Sequence, residues 1–328
     1  MPCLDNFNRP ISYLRVSVTD RCNLRCVYCM PSQGIPWRPH DEILRYEEIE
    51  TVVRAAAELG INKVRLTGGE PLVRQGIVNL VAMLSRIPGV DDLAMTTNGT
   101  LLARYAEELK AAGLKRVNVS LDTLRPERFR TITRLGELSD TIEGIAAAKE
   151  AGLLPVKINT VVIRGLNDDE VVDFARLTRA ADWHVRFIEV MPLGNNADWA
   201  GNGYVSMSEV RERIERKLGE LIPAKPGIGG GPARYYRLPG AQGTIGFITP
   251  ISEHFCYQCN RLRLTADGKL RPCLLSDYEI DLRTPLRQGA TVEEIKRLII
   301  EAVRAKPERH HLSEHIIPQG RAMSQIGG

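Results

Sequence analysis

Six of the seven cysteines fall into two tight groups, Cys22, Cys26 and Cys29, then Cys256, Cys259 and Cys273; Cys3 stands outside both. An odd count in two groups so far apart is no disulfide scaffold, because a chain of 328 residues can bury a core without covalent staples. Thiolates used as metal ligands in a reducing compartment fit the pattern better. The spacing Cys22-x3-Cys26-x2-Cys29 suits a loop wrapped round a small inorganic body. A structural zinc wants a fourth protein ligand, whereas a three-thiolate [4Fe–4S] cluster leaves one iron open to a substrate or cofactor. Soft sulfur serves either metal, and core cysteines are a third reading. The missing fourth ligand favours iron–sulfur.

The second group, Cys256-x2-Cys259-x13-Cys273, is again a set of three and again predicts a metal with an open position. A zinc site completed by His254 is the structural competitor. Arg261 and Arg263 alternate, which puts both guanidiniums on one face of an extended segment. Such a pair beside a metal suits a phosphorylated ligand, although a solvated strand face carries the same pattern. His310, His311 and His315 resemble a metal patch by count alone and are expected at a polar helix end or exposed turn; Cys3 is expected to be a free thiol.

The elements that position these groups alternate along the chain. An extended segment at Ile11–Val18 runs into the first cysteines, Tyr46–Leu59 is an amphipathic helix ending at Gly60, and Val64–Thr67 is an apolar strand. Strands follow at Leu93–Thr97, Val117–Leu121, Val156–Ile163 and Val185–Val190, with helices at Leu102–Ala112, Leu138–Ala151 and Val171–Ala181 between them. About six such units predict an α/β fold with a mostly parallel sheet; a closed barrel takes eight, so the expectation is a partial (β/α)6 TIM-like barrel. No GxGxxG follows the first strand, which weakens a Rossmann reading. Gly and Pro become abundant over residues 223–246, marking a domain of residues 1–220 and a smaller C-terminal cluster-binding region of residues 221–328 with a last helix at Val292–Ala305. Polar phrases at Gly68–Pro71, Asn98–Gly99 and Asp122–Thr123 fall just after strands, where parallel sheets gather their chemistry.

Composition narrows the partners. Apolar residues at 43% and charged residues at 26% fit an ordinary soluble chain. The longest stretch without a charge, Leu238–Ser252, is interrupted by Gly and Pro and is too short to span a membrane. No basic segment followed by an apolar run opens the chain, so no secretory leader and a cytoplasmic location are expected. Net charge is 44 − 40, or +4, and aromatics at 5% do not interleave with basic patches, which argues against nucleic acid.

The CxxxCxxC loop resembles the signature of the radical S-adenosylmethionine superfamily, and Gly68-Gly69-Glu70-Pro71 resembles its GGEP segment. The chain resembles one branch more narrowly, the GTP 3′,8-cyclases (MoaA proteins) that begin molybdenum cofactor biosynthesis. The matching residues are Arg15-x-Ser17-x-Thr19-Asp20-Arg21-Cys22, Thr96-Thr97-Asn98-Gly99, Ser120-Leu121-Asp122 and Arg186-Phe187-Ile188-Glu189-Val190-Met191-Pro192. The second cysteine segment and the pair Gly327-Gly328 match as well.

This resemblance implies two [4Fe–4S] clusters, one on Cys22, Cys26 and Cys29 and one on Cys256, Cys259 and Cys273. It implies S-adenosyl-L-methionine held by Gly69, Glu70, Pro71, Thr97, Ser120, Lys157 and Met191, with Tyr28 inside the first loop. GTP is expected on Arg15, Lys63, Arg65, Arg186, Arg261 and Arg263, with Arg15 nearer the ribose and Gly327 and Gly328 entering the active site. The implied reaction takes the 3′ hydrogen of GTP with a 5′-deoxyadenosyl radical and joins C3′ to C8. The implied partners are a flavodoxin or ferredoxin as electron donor, a second copy in a homodimer, and a downstream cyclic pyranopterin monophosphate synthase.

Overall fold

The structure, a computed structural model, describes residues 3–193, 201–225, 231–314, 317–318 and 320–327. A short antiparallel pair, β1 (Cys3–Leu4) and β2 (Pro10–Ile11), leads into β3 (Tyr13–Ser17). The next five strands are β4 (Lys63–Thr67), β5 (Asp92–Thr97), β6 (Arg116–Ser120), β7 (Lys157–Val162) and β8 (His184–Glu189). They lie side by side in chain order and all pair in parallel, because a helical crossover returns the chain to the same edge each time. The crossovers include α1 (Tyr46–Glu58), α3 (Leu102–Ala111), α5 (Leu138–Glu150) and α6 (Val171–Ala180), each within a residue or two of its sequence expectation.

Among the described residues, helices at Met207–Leu218, Arg283–Arg287 and Met323–Ile326 lie outside the sequence expectation, as do two helices of the crossovers. α2 (Ile77–Ser85) is apolar on most sides, so its faces contrast little, and α4 (Pro126–Thr133) is a short helix entered through a proline at its first position.

Residues beyond 220 do not form a sheet of their own. β11 (Thr244–Ile248) pairs in parallel with β8, and β12 (Arg261–Leu264) pairs in parallel with β3. β9 (Ile222–Pro223) and β10 (Arg234–Arg237) extend one flank; β13 (Lys269–Arg271) and β14 (Ile280–Asp281) extend the other. The described strands therefore make one sheet of twelve with β14 and β9 at its ends.

Strand alternation sorts the side chains. Leu14, Val16, Val64, Leu66, Met95, Val117, Val119, Ile158, Val185 and Phe187 are buried in the apolar core. The opposite parity carries Arg15, Arg65, Thr96, Asn118, Ser120, Lys157, Asn159 and Arg186, which all line one internal cavity. The helices of the crossovers cover the apolar face, so the polar face is left to build a site.

Candidate active site

The cavity has a volume of about 350 Å³, and both cysteine trios line it. All six thiols are free and half-buried, and no disulfide joins any of the seven cysteines. Among the described residues no three ligand-type side chains converge as closely as a single metal ion demands. The thiols of each trio are nevertheless near enough to act on one another electrostatically: Cys26 feels Cys29 and Cys22, and Cys256 feels Cys273 and Cys259. Three soft sulfurs spread over a cavity wall fit an inorganic body larger than one ion.

The first trio follows β3 and is tied to the exit of β4. The Gly69 amide donates to the Thr19 carbonyl at 2.8 Å and the Glu70 amide to the Arg21 carbonyl at 2.8 Å. A Cβ on Gly68 would sit 2.6 Å from the Thr19 carbonyl, and one on Gly69 would overlap the Arg21 carbonyl, so this backbone approach needs both glycines. Glu70 is buried, and its carboxylate already accepts from the Leu72 amide at 3.1 Å, the Thr97 hydroxyl at 2.7 Å and the Asn98 amide at 2.7 Å. Burial outweighs those bonds and raises its pKa to about 7. Tyr28 donates to Asp122 at 2.5 Å, locking the cysteine loop to the end of β6. Burial pushes Cys22 up to about 11 and Cys29 up to about 12, and it raises Cys26 well above its ordinary value.

The second trio is surrounded by cations. Buried Lys306 donates to the Arg261 carbonyl at 2.8 Å and the Pro272 carbonyl at 2.6 Å, joining the segments that carry Cys259 and Cys273. Arg9, paired with Asp5, donates to the Cys256 carbonyl at 2.7 Å and to Pro307 and Glu308. Burial again disfavours the Cys259 thiolate, but Arg261 and Lys306 outweigh it and bring the thiol down to about 6.

Between the trios the ladder sets Arg263 opposite Arg15 and Arg15 opposite Arg65, three arginines abreast on adjacent strands. Like charges at neighbouring positions repel, and burial with that repulsion lowers Arg15 to about 10. Arg65 keeps Nη1, and Arg186 keeps Nε and Nη2, buried without a hydrogen-bond partner. Lys157 lies 5.7 Å from the Tyr235 ring; burial, with Arg186 next, lowers it to about 7. Gly327 enters this wall: its carbonyl accepts from Arg15 at 3.2 Å and from Arg263 at 3.1 Å. A side chain there would strike Thr67, and its φ of +76° favours glycine.

The structure thus brings together at the cavity the six cysteines, Arg15, Tyr28, Arg65, Gly69, Glu70, Thr97, Ser120, Lys157, Arg186, Met191, Arg261 and Arg263. Pro71 and Lys63 are not among the lining residues; Pro71 opens the short 3-10 turn behind Glu70, and Lys63 is half-buried at the start of β4. Gly328 and His315 lie outside the described residues. His311 is exposed beside Glu314, as expected, but His310 corrects the expectation of a surface histidine. It is buried, lines the cavity, bonds the Pro250 carbonyl at 2.9 Å and packs edge-on against His254 at 5.6 Å. Sequence reasoning also passed over Lys306, Arg9, Asp122 and Thr96. The first two sit in no recognisable pattern; Asp122 and Thr96 stand in the polar runs after β6 and within β5, with nothing local to mark their roles. Thr96 points a buried, unpartnered hydroxyl at the cavity while Thr97 gives its own to Glu70.

Residues 16–178 match the radical SAM superfamily, and residues 183–312 match the Molybdenum Cofactor Synthesis C family. A GTP 3′,8-cyclase of Pelotomaculum thermopropionicum is 61% identical over 324 residues, covering 99% of this chain and 99% of that protein. The chain belongs to the GTP 3′,8-cyclase family. Another similar protein, the GTP 3′,8-cyclase of Heliobacterium modesticaldum, is 58% identical and covers 99% of this chain and 100% of its own. Among solved structures, Streptococcus suis SuiB bound to S-adenosylmethionine shares 14% identity with a TM-score of 0.59 over 84% of this chain and 62% of that one, a likeness of fold. No described helix is long and apolar enough to cross a membrane.

Proposed function

We propose that this protein is an enzyme that cyclises GTP to (8S)-3′,8-cyclo-7,8-dihydroguanosine 5′-triphosphate with S-adenosyl-L-methionine and a one-electron reductant, the first step of molybdopterin synthesis. The carrying observation is that both thiol trios line one cavity with the ladder Arg263, Arg15 and Arg65 in its wall. Three abutting guanidiniums are tolerable when a polyanion lies across them, and a triphosphate offers the charge and the paired acceptors.

The sheet is read as a partial (β/α)6 barrel whose cavity opens where the loops after β3 to β8 gather. Cys22, Cys26 and Cys29 would hold one [4Fe–4S] cluster, and Cys256, Cys259 and Cys273 the other. Bound there, the first cluster and S-adenosylmethionine supply the electron and the hydrogen-abstracting radical. The chain's own part is placement. Gly69 and Ser120 present short polar groups to the cofactor, Tyr28 and Asp122 fix the first loop, and Met191 packs at the mouth. Glu70 acts chiefly by holding the ends of β4 and β5 in register, since at least three of its acceptor sites are used within the fold. Arg261, Arg263, Arg186 and Arg65 hold the phosphates. Lys157, expected from the resemblance to hold the cofactor, is instead read with them because Arg186 and Arg65 act on it in the same wall. Arg15 reaches toward the ribose, beside the carbonyl of Gly327. Such fixed orientation selects which hydrogen is taken. The reading includes a flavodoxin or ferredoxin as donor, a homodimer, a downstream cyclic pyranopterin monophosphate synthase, and a cytoplasmic, reducing location that suits seven free thiols.

The experiment is anaerobic: reconstituted protein with GTP, S-adenosylmethionine and reductant, read for 5′-deoxyadenosine and cyclised nucleotide. Both products are expected; turnover of a zinc-loaded, iron-free preparation would overturn the reading.

A further inference from the structure

The segment that brings Gly327 to the cavity is held by an ion-pair cluster away from the cavity lining. Arg321 is buried and donates from Nη1 and Nη2 to the two oxygens of Asp267, at 2.9 and 3.0 Å. Its Nε and Nη2 also reach the two oxygens of Glu279, at 2.6 and 2.8 Å. One guanidinium thus spends its fork on two carboxylates from separate turns: Asp267 between β12 and β13, and Glu279 just ahead of β14. Such planar, paired bonding fixes direction as well as distance.

Both carboxylates keep other partners. Asp267 accepts from the Thr265 hydroxyl at 2.6 Å and lies 3.4 Å from Arg38, whose own amide donates to Asp20 two residues before Cys22. Glu279 pairs with Arg271 at 2.5 Å. The turns are therefore supported without Arg321, whereas the segment beyond it is otherwise seated at its far end, where the Ser324 amide reaches the Cys29 thiol and Met323 and Ser324 line the cavity. Gly320 donates to Asp277 at 3.3 Å, Ile326 is buried, and the Gly327 carbonyl meets Arg15 and Arg263. Five residues lie between Arg321 and Gly327, and a one-turn helix, Met323–Ile326, spans most of the interval. A helix of one turn has too few internal bonds to hold its own direction, so the direction comes from the anchored end.

We propose that Arg321, clasped by Asp267 and Glu279, is the latch that seats the Gly327 carbonyl between Arg15 and Arg263, a positioning residue for the cyclisation. Through Arg38 the same carboxylate touches the segment leading to the first trio, so one latch ties the glycine terminus to both sides of the cavity. This rests on the reading that the Gly-Gly segment works in the active site, and the test separates the two.

In the reconstituted two-cluster enzyme, Arg321→Gln is compared with Arg321→Lys and with removal of Gly327 and Gly328. Hydrogen exchange of the segment 320–328, iron and sulfide content, and kcat and KM for GTP are measured. For Arg321→Gln the expected result is at least a tenfold loss of protection in that segment and at least a tenfold fall in kcat. Iron and sulfide stay at the parent level and KM stays within about threefold; Arg321→Lys, which keeps charge but loses the fork, recovers part of both losses. Unchanged protection in Arg321→Gln overturns the latch while leaving the role of the glycines standing. Normal turnover after removing the two glycines overturns that role, and the latch's bearing on the reaction with it. Loss of iron in step with protection makes Arg321 a folding residue and likewise overturns the latch.

Discussion

The two cysteine trios face one cavity from opposite electrostatic surroundings. The first lies in a dry, weakly acidic neighbourhood, with Asp122 and Glu70 close by, and its thiols are held protonated by burial. The second is bracketed by Arg9, Arg261 and Lys306; at Cys259 Arg261 and Lys306 overcome burial, while at Cys256 burial still prevails over Arg9 and raises the thiol. Burial acts on both trios while the charge around them differs, so the trios are not interchangeable ligand sets. The cationic one adjoins the arginine ladder and suits an anionic substrate; the first is backed by the Gly68–Glu70 turn and suits a cofactor bound largely by backbone. Burial alone would have driven both sets of thiols the same way, so the difference belongs to the neighbours.

The largest expected effects test that division. Cys22→Ala should reduce both 5′-deoxyadenosine and cyclised nucleotide to background. Cys273→Ala should abolish the cyclised nucleotide while iron falls by only about half, one of two clusters being lost. Iron should fall by about half in both variants, so the products decide: loss of 5′-deoxyadenosine in both alike would erase the distinction. Lys306→Met comes next. It strands two buried carbonyls at about 1–3 kcal/mol each, so the second trio should lose metal and the unfolding midpoint should drop, while the first cluster's absorbance per chain is retained.

A smaller effect concerns the wall between the trios. Lys157 has a folded pKa near 7, lowered by burial first, so its amine is charged below that pH and neutral above it. A triphosphate favours the charged form, so GTP binding should take up a proton. Affinity should fall by about tenfold per pH unit above 7 if that one proton is required. Calorimetry in two buffers of different ionisation enthalpy reads the uptake directly; none at pH 8 would remove Lys157 from the phosphate site. The smallest effect is His311→Ala, an exposed residue whose pairing with Glu314 is worth under about 1 kcal/mol. His310→Ala should cost more in thermal midpoint, because it leaves the Pro250 carbonyl without its partner and opens a void beside His254.

Much of the site was legible because its signals are local. The cysteine spacings, the Gly68–Pro71 turn and the alternation of Arg261 with Arg263 are each readable within one short stretch, the longest running from Cys256 to Cys273. Parity was read along the sequence only for Arg261 with Arg263; the same two-residue repeat places Arg15, Arg65, Asn118, Lys157 and Arg186 on one face in the structure. The helix ends at Gly60, Gly113 and Gly152 were equally plain, each glycine taking a positive φ. Illegible were residues whose role depends on a partner far along the chain. Lys306 bridges two segments that precede it by more than thirty residues, and Arg9 reaches Cys256 across most of the sequence. His310 and His311 are neighbours with opposite burial, which count and composition cannot separate.

By itself, then, the sequence determined ligand type, local spacing and which strand face each group occupies, since these follow from covalent order and the two-residue repeat of a strand. Only the tertiary structure decided that β12 joins β3 and β11 joins β8, which sets Arg263 beside Arg15 and brings two distant trios to one cavity. Register between strands and the reach of a buried cation depend on contacts that close long loops of chain, and no short stretch of residues encodes them.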